Sequence, residues 1–234
     1  FVAMIGLSAQ SIPPQVRALL GIMLTLIIMP VVPPAPVDDL VNLGTFILGI
    51  QQLLIGVAIG FVSMMVLNTF VLAGQIIAMQ TGLGFASIVD PVNGINVPAV
   101  GQFYLILATL LFWTLDGHLA MIHMIVLSFH AFPIGEAWWT GEQFREIAHW
   151  GGWMFISAIT LSLAPIVSLL IVNLAFGVMT KAAPQLNIFS IGFSIAQVMG
   201  LLIIWITLDN FTAHFETQWL RAEQFMCQLL RICP

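Results

Sequence analysis

Few side chains in this sequence could do chemistry, and those few sit in unusual places. Asp90, Asp116, His118, His123, Lys181 and Asp209 lie inside or at the ends of long apolar runs. An ionisable group in hydrocarbon is costly, so each is a candidate for an ion or substrate pathway. All but His123 fall at or near the end of a run. There a carboxylate can cap backbone N–H groups and a cation can reach an interface, with no pathway involved. For Asp116 and Lys181 the structural role is the stronger reading. His118, His123 and His130 are spaced five and seven apart, whereas two metal ligands on one helical face need a spacing of about three or four. Ser87 and Ser128 have no histidine and carboxylate in a nucleophile motif, and no glycine-rich loop carries a phosphate-binding lysine. The residues therefore imply no catalysis, no metal and no cofactor. Cys227 and Cys233, six apart, would point to different faces of a continuous helix and are expected to be incidental.

The elements that would position these groups follow from composition. Of 234 residues, 60% are hydrophobic and 6% charged, against roughly 25% charged in a soluble domain. Fifteen charged side chains cannot clothe a chain of this length, so most of its surface must face lipid or other apolar protein. In hydrocarbon every backbone N–H and C=O must be paired internally, and the long runs without alternation select helices over a barrel. The expected fold is all-α, built of polytopic membrane-type helical hairpins. Arg17, Arg145, Lys181, Arg221 and Arg231 are scattered singly, which excludes a nucleic-acid surface.

Along the chain, residues 1–7 are too short to span a bilayer and read as the tail of an earlier helix. Residues 16–32 form an apolar helix that stops at Pro30 and the prolines beyond it. Residues 43–73 carry no charge and exceed one perpendicular span, so they must tilt, bend or project. Gly49, Gly56 and Gly60 line one face of that helix, where another backbone can approach closely. From Gln75 the pattern changes, and residues 82–98 read as a structured loop with turns at Asp90-Pro91 and Asn93-Gly94. The loop stays apolar through Phe85, Ile88, Val89, Val92, Ile95 and Val97, so it must pack against protein or close a cavity.

Residues 97–115 and 119–132 read as a tight helical hairpin about Asp116, Gly117 and His118. Residues 136–146 form the wet loop, with Trp138, Trp139, Trp150 and Trp153 suited to an interfacial belt. Residues 147–180 form a second overlong helix with a kink expected at Pro165, and residues 188–208 a full span. The division is a helical domain over 1–210 and a C-terminal amphipathic helix over 211–234. Phe211, Phe215, Trp219, Ala222, Met226 and Leu229 share one face of that helix, which suits a membrane surface and a docking face equally.

Residues 82–98, the Leu115-Asp116-Gly117-His118 motif and the run from Lys181 through Pro184 and Asn187 to Phe189 resemble the FliR family of bacterial export-gate proteins. So do residues 11–17, 51–61 and 128–133, and the likeness covers nearly the whole chain. The flagellar branch is closer than the related injectisome subunit, through the Pro184 to Phe189 stretch and the Asp90-Pro91 loop. The resemblance implies a multi-subunit export-gate ring built with FliP and FliQ, working beside FlhB and FlhA in the bacterial inner membrane at the flagellar basal body. Unfolded flagellar proteins would thread the ring without any chemistry being done on them. It also implies a pore plug formed by Phe85, Ile88, Asp90, Pro91, Asn93, Gly94 and Pro98. Gly49, Gly56, Gly60, Asp116, His118, Lys181, Pro184 and Asn187 are expected in helix packing or subunit contact. The alternative is a multi-pass secondary transporter of a small solute or ion, with Asp90, Asp116 and Lys181 in one coupled site at broken helices.

Overall fold

The computed structural model describes residues 13–34, 42–85, 87–89, 96–135, 140–182 and 188–232. The fold is all-α and of membrane type, with one small β-ladder inserted. Among the described residues seven α-helices follow in order: α1 (Pro14–Ile28), α2 (Leu43–Thr81), α3 (Ala99–Thr114), α4 (Gly117–Ala131), α5 (Gly141–Ala182), α6 (Ile188–Thr207) and α7 (Phe211–Leu229). Strands β1 (Ser87–Val89) and β2 (Asn96–Pro98) lie between α2 and α3. Among the same residues four helical stretches are long and apolar enough to cross a membrane, or up to five if the bent pair α3 and α4 is one span. At 39 and 42 residues, α2 and α5 are about 58 and 63 Å long, against a hydrocarbon layer of about 30 Å.

The helix starts and stops have local causes. Pro14 opens α1 at a position where its missing N–H is no loss, and the Pro13 carbonyl accepts from Val16 N–H (3.0 Å) and Arg17 N–H (3.1 Å). Thr140 and Gln143 form a cap at the start of α5: the Gln143 Oε1 accepts from the Thr140 N–H (2.7 Å) and from its hydroxyl. Helix α5 therefore starts at Gly141, inside the segment expected as a wet loop; Glu136, Trp138 and Trp139 lie outside the described residues. It then runs unbroken through Pro165, which leaves the Leu161 carbonyl without its usual donor. Just upstream, Ser162 donates to the Ala158 carbonyl at 2.9 Å and Thr160 to that of Ile156 at 2.8 Å.

Helix α2 also outruns its expected end, continuing from Ala73 to Thr81. The change of pattern at Gln75 marks the arrival of packing partners, since Ile77, Ala78 and Thr81 are buried. The hairpin expected at residues 97–132 is a bend of 65° instead, well short of chain reversal. Asp116 sits in the left-handed region (φ 55°), and its carbonyl accepts from Leu119 N–H (2.9 Å) and Ala120 N–H (3.1 Å). That geometry re-aims the chain and restarts helix at once, leaving no room for a reversing loop.

The chain forms two compact units, the first of Phe1–Val66, Thr109–Gly152 and Gln218–Pro234, the second of Leu67–Ala108 and Trp153–Thr217. Within the first, Phe112 meets Trp219 edge to face at 5.0 Å and Trp150 stacks on Phe225 at 4.4 Å. Ile59, Val62, Met121 and Met226 are buried in the same unit. Within the second, Phe70 packs on Phe211 (5.0 Å) and Phe215 (5.6 Å), and Tyr104 meets Phe211 at 5.3 Å. Every residue of the expected α7 face is buried, from Phe211 to Leu229, while Thr212, Glu216, Arg221, Gln224 and Gln228 are exposed or half-buried. The amphipathic face thus docks inside this chain.

Cys227 departs from the expectation, because it is disulfide-bonded. Its spacing from Cys233 places the two on different faces only if the helix runs on past residue 229. Instead Arg231 adopts φ 51°, Arg231 N–H donates to the Gln228 carbonyl (3.0 Å) and Ile232 N–H to that of Cys227 (2.9 Å). This is a Schellman termination, which turns the chain back on the helix end.

Candidate functional site

The hairpin between α2 and α3 is the candidate site. Its stem pairs antiparallel, Ser87 with Pro98, Ile88 with Val97 and Val89 with Asn96. The structured loop expected from the sequence is thus a short β-ladder. Phe85 ends the 3-10 turn Leu83–Phe85, Ile88 is the middle residue of β1, and half-buried Pro98 ends β2. Asp90, Pro91, Asn93 and Gly94 lie outside the described residues.

The frame that holds the stem is built from small residues that sequence reasoning missed. A Cβ on Gly74 of α2 would fall 2.8 Å from Gly101 Cα and 2.9 Å from the Val100 carbonyl oxygen of α3, so the two helices touch backbone to backbone. A Cβ on Gly101 would in turn meet the Val71 carbonyl oxygen at 3.2 Å. Such contact is the usual reason for glycine in apolar helices. Gly200 of α6 packs as closely on Thr81, where an added Cβ would lie 2.7 Å from the threonine Cβ and nearer still to its methyl. Gly74 shares a face of α2 with Gly49, Gly56 and Gly60 but lies past the end at Ala73 that the sequence suggests for that helix, and Gly101 and Gly200 give no periodic signal by which the sequence could reveal them.

Thr81 closes α2 at the foot of the stem. Its hydroxyl donates to the Ala78 carbonyl (3.0 Å) and accepts from Leu83 N–H (3.3 Å). Gly82 follows at φ 74°, a conformation natural only to glycine, and ends the helix. Beside the stem is an open apolar cavity of about 340 Å³, lined by Leu83, Val100, Phe103, Leu201, Ile204 and Trp205 among others.

The other expected residues are dispersed. Gly49 and Gly56 have nothing among the described residues within 4 Å of where a Cβ would stand; Gly60 is buried, and its carbonyl accepts from Ser63 Oγ at 2.8 Å. Asp116 is exposed and its side chain makes no cap, so its contribution to α4 is made by its backbone alone. Gly117 beside it is tightly held: a Cβ there would lie 2.5 Å from Phe112 Cδ2. His118 packs its ring on Trp113 at 4.6 Å, and its Nδ1 is buried with no hydrogen-bond partner among the described residues. His123 and His130 are exposed. Lys181 is exposed in the last turn of α5, where a cation suits the helix dipole. Pro184 and Asn187 lie outside the described residues. Ser128 is buried and spends its hydroxyl on the Ile125 carbonyl at 2.7 Å. Among the described residues, no three His, Cys, Asp or Glu side chains group as a metal site.

The hairpin stem is thus framed by long apolar helices, and comparison with known proteins identifies the family of the chain that carries it. Residues 1–222 match the family described as bacterial export proteins, family 1. The chain belongs to this family. Among export-family relatives, the flagellar biosynthetic protein FliR of Escherichia coli strain K12 is 37% identical over 85% of this chain and 76% of its own length. The FliR protein of Pectobacterium carotovorum is 38% identical over the same shares of the two chains. That of Bacillus subtilis is 28% identical over 70% of this chain and 64% of its own. The carrier reading is not favoured: its Asp116 and Lys181 are both exposed at helix ends, as a cap position and a dipole partner would be.

Proposed function

We propose that this chain is a structural and gating subunit of the flagellar type III protein-export gate, with no enzymatic activity of its own. Membership of the export family, with flagellar FliR relatives matched along most of the chain, carries the reading. In it, FliP and FliQ subunits complete the pore, FlhB and FlhA act beside it, and unfolded flagellar proteins pass through. The site is the bacterial inner membrane at the flagellar basal body.

The hairpin, residues 85–98, serves as the plug of the closed pore. An apolar constriction resists water and ions when empty, yet yields to a polypeptide whose own apolar groups replace the lost contacts. Exposed apolar faces support a subunit role. Among the described residues, helix α1 and its 3-10 extension are only 11% buried, against 56% for the most apolar stretch of α2, which leaves most of α1 free for a partner. Gly49 and Gly56, open here, offer close-approach positions for such a neighbour.

The test is co-expression with FliP and FliQ, followed by purification and a mass measurement, then the same with residues 88–97 shortened. The reading expects a stable hetero-complex, and expects cells carrying the shortened chain to leak ions or lose motility. A chain that purifies alone and moves a solute across vesicles would refute it. So would an unchanged barrier and unchanged export in the shortened form, as regards the plug.

A further inference from the structure

Among the described residues, helices α2, α3 and α6 meet at the foot of the hairpin stem, and they hold it differently. Helices α2 and α3 bring its two ends together through the Gly74–Gly101 contact, where backbone meets backbone and neither side can give. Helix α6 is the third neighbour, and much of the space between it and the stem's foot is empty: the 340 Å³ cavity separates Leu83, Val100 and Phe103 from Leu201, Ile204 and Trp205. Beside that gap stands one tight contact, Gly200 of α6 on Thr81. Thr81 is fully buried, and its side chain is used at both ends. The methyl faces Gly200, while the hydroxyl links the Ala78 carbonyl to the Leu83 N–H, across the turn that starts the stem.

We propose that Thr81 and Gly200 are the positioning pair of the gate: α6 bears on Thr81 through Gly200, and Thr81 sets the seat of the hairpin through its hydroxyl. The proposal rests on the reading of the hairpin as plug. A displacement of α6 is transmitted at this contact, because Gly200 leaves no side chain of its own between the α6 backbone and Thr81 that could yield. The two halves of the side chain are separable. Thr81→Val keeps the volume and removes both hydroxyl bonds. Gly200→Ala keeps the hydroxyl bonds and forces Thr81 to shift, since the new Cβ would overlap it.

The experiment uses the full chain assembled with its partners in cells, reading resting ion leak and, as a control, co-purification of the complex. The shortened hairpin sets the scale for an unplugged gate. Losing a buried hydrogen bond shifts a seated-to-unseated equilibrium by a factor of roughly 5 to 30, so Thr81→Val should leak about that much more than the unaltered chain while still assembling. Gly200→Ala should leak as well, and Thr81→Ser should lower that leak in part in the double variant, because it removes the methyl, the nearer of the two overlapping atoms, and keeps the hydroxyl, while the Cβ of residue 81 still lies 2.7 Å from the new one. If the shortened hairpin leaks but Thr81→Val stays tight, the positioning pair is refuted and the plug stands. A double variant as leaky as Gly200→Ala alone refutes the contact through Thr81. Should Gly200→Ala fail to assemble, the nearly isosteric Thr81→Val decides the matter. If the shortened hairpin itself stays tight, the plug reading fails and this proposal falls with it.

Discussion

Replacing Gly74 with alanine adds one methyl group where α2 and α3 touch backbone to backbone in the second unit. The new Cβ would stand 2.8 Å from Gly101 Cα and 2.9 Å from the Val100 carbonyl oxygen, where ordinary contact begins at 3.4 Å. Both atoms are backbone, so no side chain can rotate away, and α2 and α3 must separate locally by about 0.6 Å. Overpacking of this kind costs about 1–3 kcal/mol. Alanine returns about 0.5–1 kcal/mol through its better helix propensity, which leaves a net loss of about 1–2 kcal/mol. Gly56→Ala is the control, because its Cβ meets nothing within 4 Å among the described residues, so that the propensity gain applies there. Thermal unfolding of the detergent-solubilised chain, followed by tryptophan fluorescence, should lower the midpoint by roughly 2–8 °C for Gly74→Ala and leave it level or slightly higher for Gly56→Ala. In the assembled complex the Gly56 variant should lose its advantage, since its open face is the one offered to a neighbour. Equal midpoints for the two variants in the isolated chain would refute the backbone contact between α2 and α3.

Three further substitutions probe other contacts. Phe215→Ala removes a fully buried ring that packs on Phe70 and should destabilise the chain by about 3–5 kcal/mol, read in the same unfolding assay. Gln143→Ala takes away the acceptor that Thr140 uses at the start of α5 and should cost about 1 kcal/mol, with faster amide exchange confined to the first turn. Asp116→Gly should leave stability level or raised and leave export intact, because the position needs φ 55° and its side chain caps nothing; Asp116→Val should lose about 1–3 kcal/mol. Loss of motility in a stable Asp116→Gly chain would show that the carboxylate itself acts.

What the sequence displays is what hydrophobic periodicity records. The buried face of α7 is legible residue by residue, because Phe211, Phe215, Trp219 and Met226 recur at helical spacing amid polar residues. The long uncharged runs likewise expose α2 and α5, and the Asp90-Pro91 and Asn93-Gly94 dipeptides locate the hairpin. Periodicity says nothing about what lies opposite a glycine. Gly49, Gly56 and Gly74 share one face of α2, yet among the described residues only Gly74 of the three meets another backbone, while Gly101 and Gly200 form no pattern and make tight contacts. Local backbone geometry is equally silent: the left-handed Asp116 turns an expected hairpin into a 65° bend, and Arg231 turns the chain past Cys227. The start of α5 is within reach of the sequence, since a threonine three residues ahead of a glutamine is a known capping pattern and Thr140 and Gln143 fit it.

The way α7 is divided has a consequence in time. Its first turns supply Phe211 and Phe215 to Phe70 and Tyr104 of one unit, and its later turns supply Trp219 and Phe225 to Phe112 and Trp150 of the other. The ribosome makes α7 after every one of those acceptors. Until it emerges, two sets of aromatic side chains wait with vacant neighbours, and a chain stalled before residue 211 completes neither. Synthesis of α7 is thus a checkpoint: a product cut short before it is left with both cores open, a ready target for proteolysis before it can occupy a place in the gate.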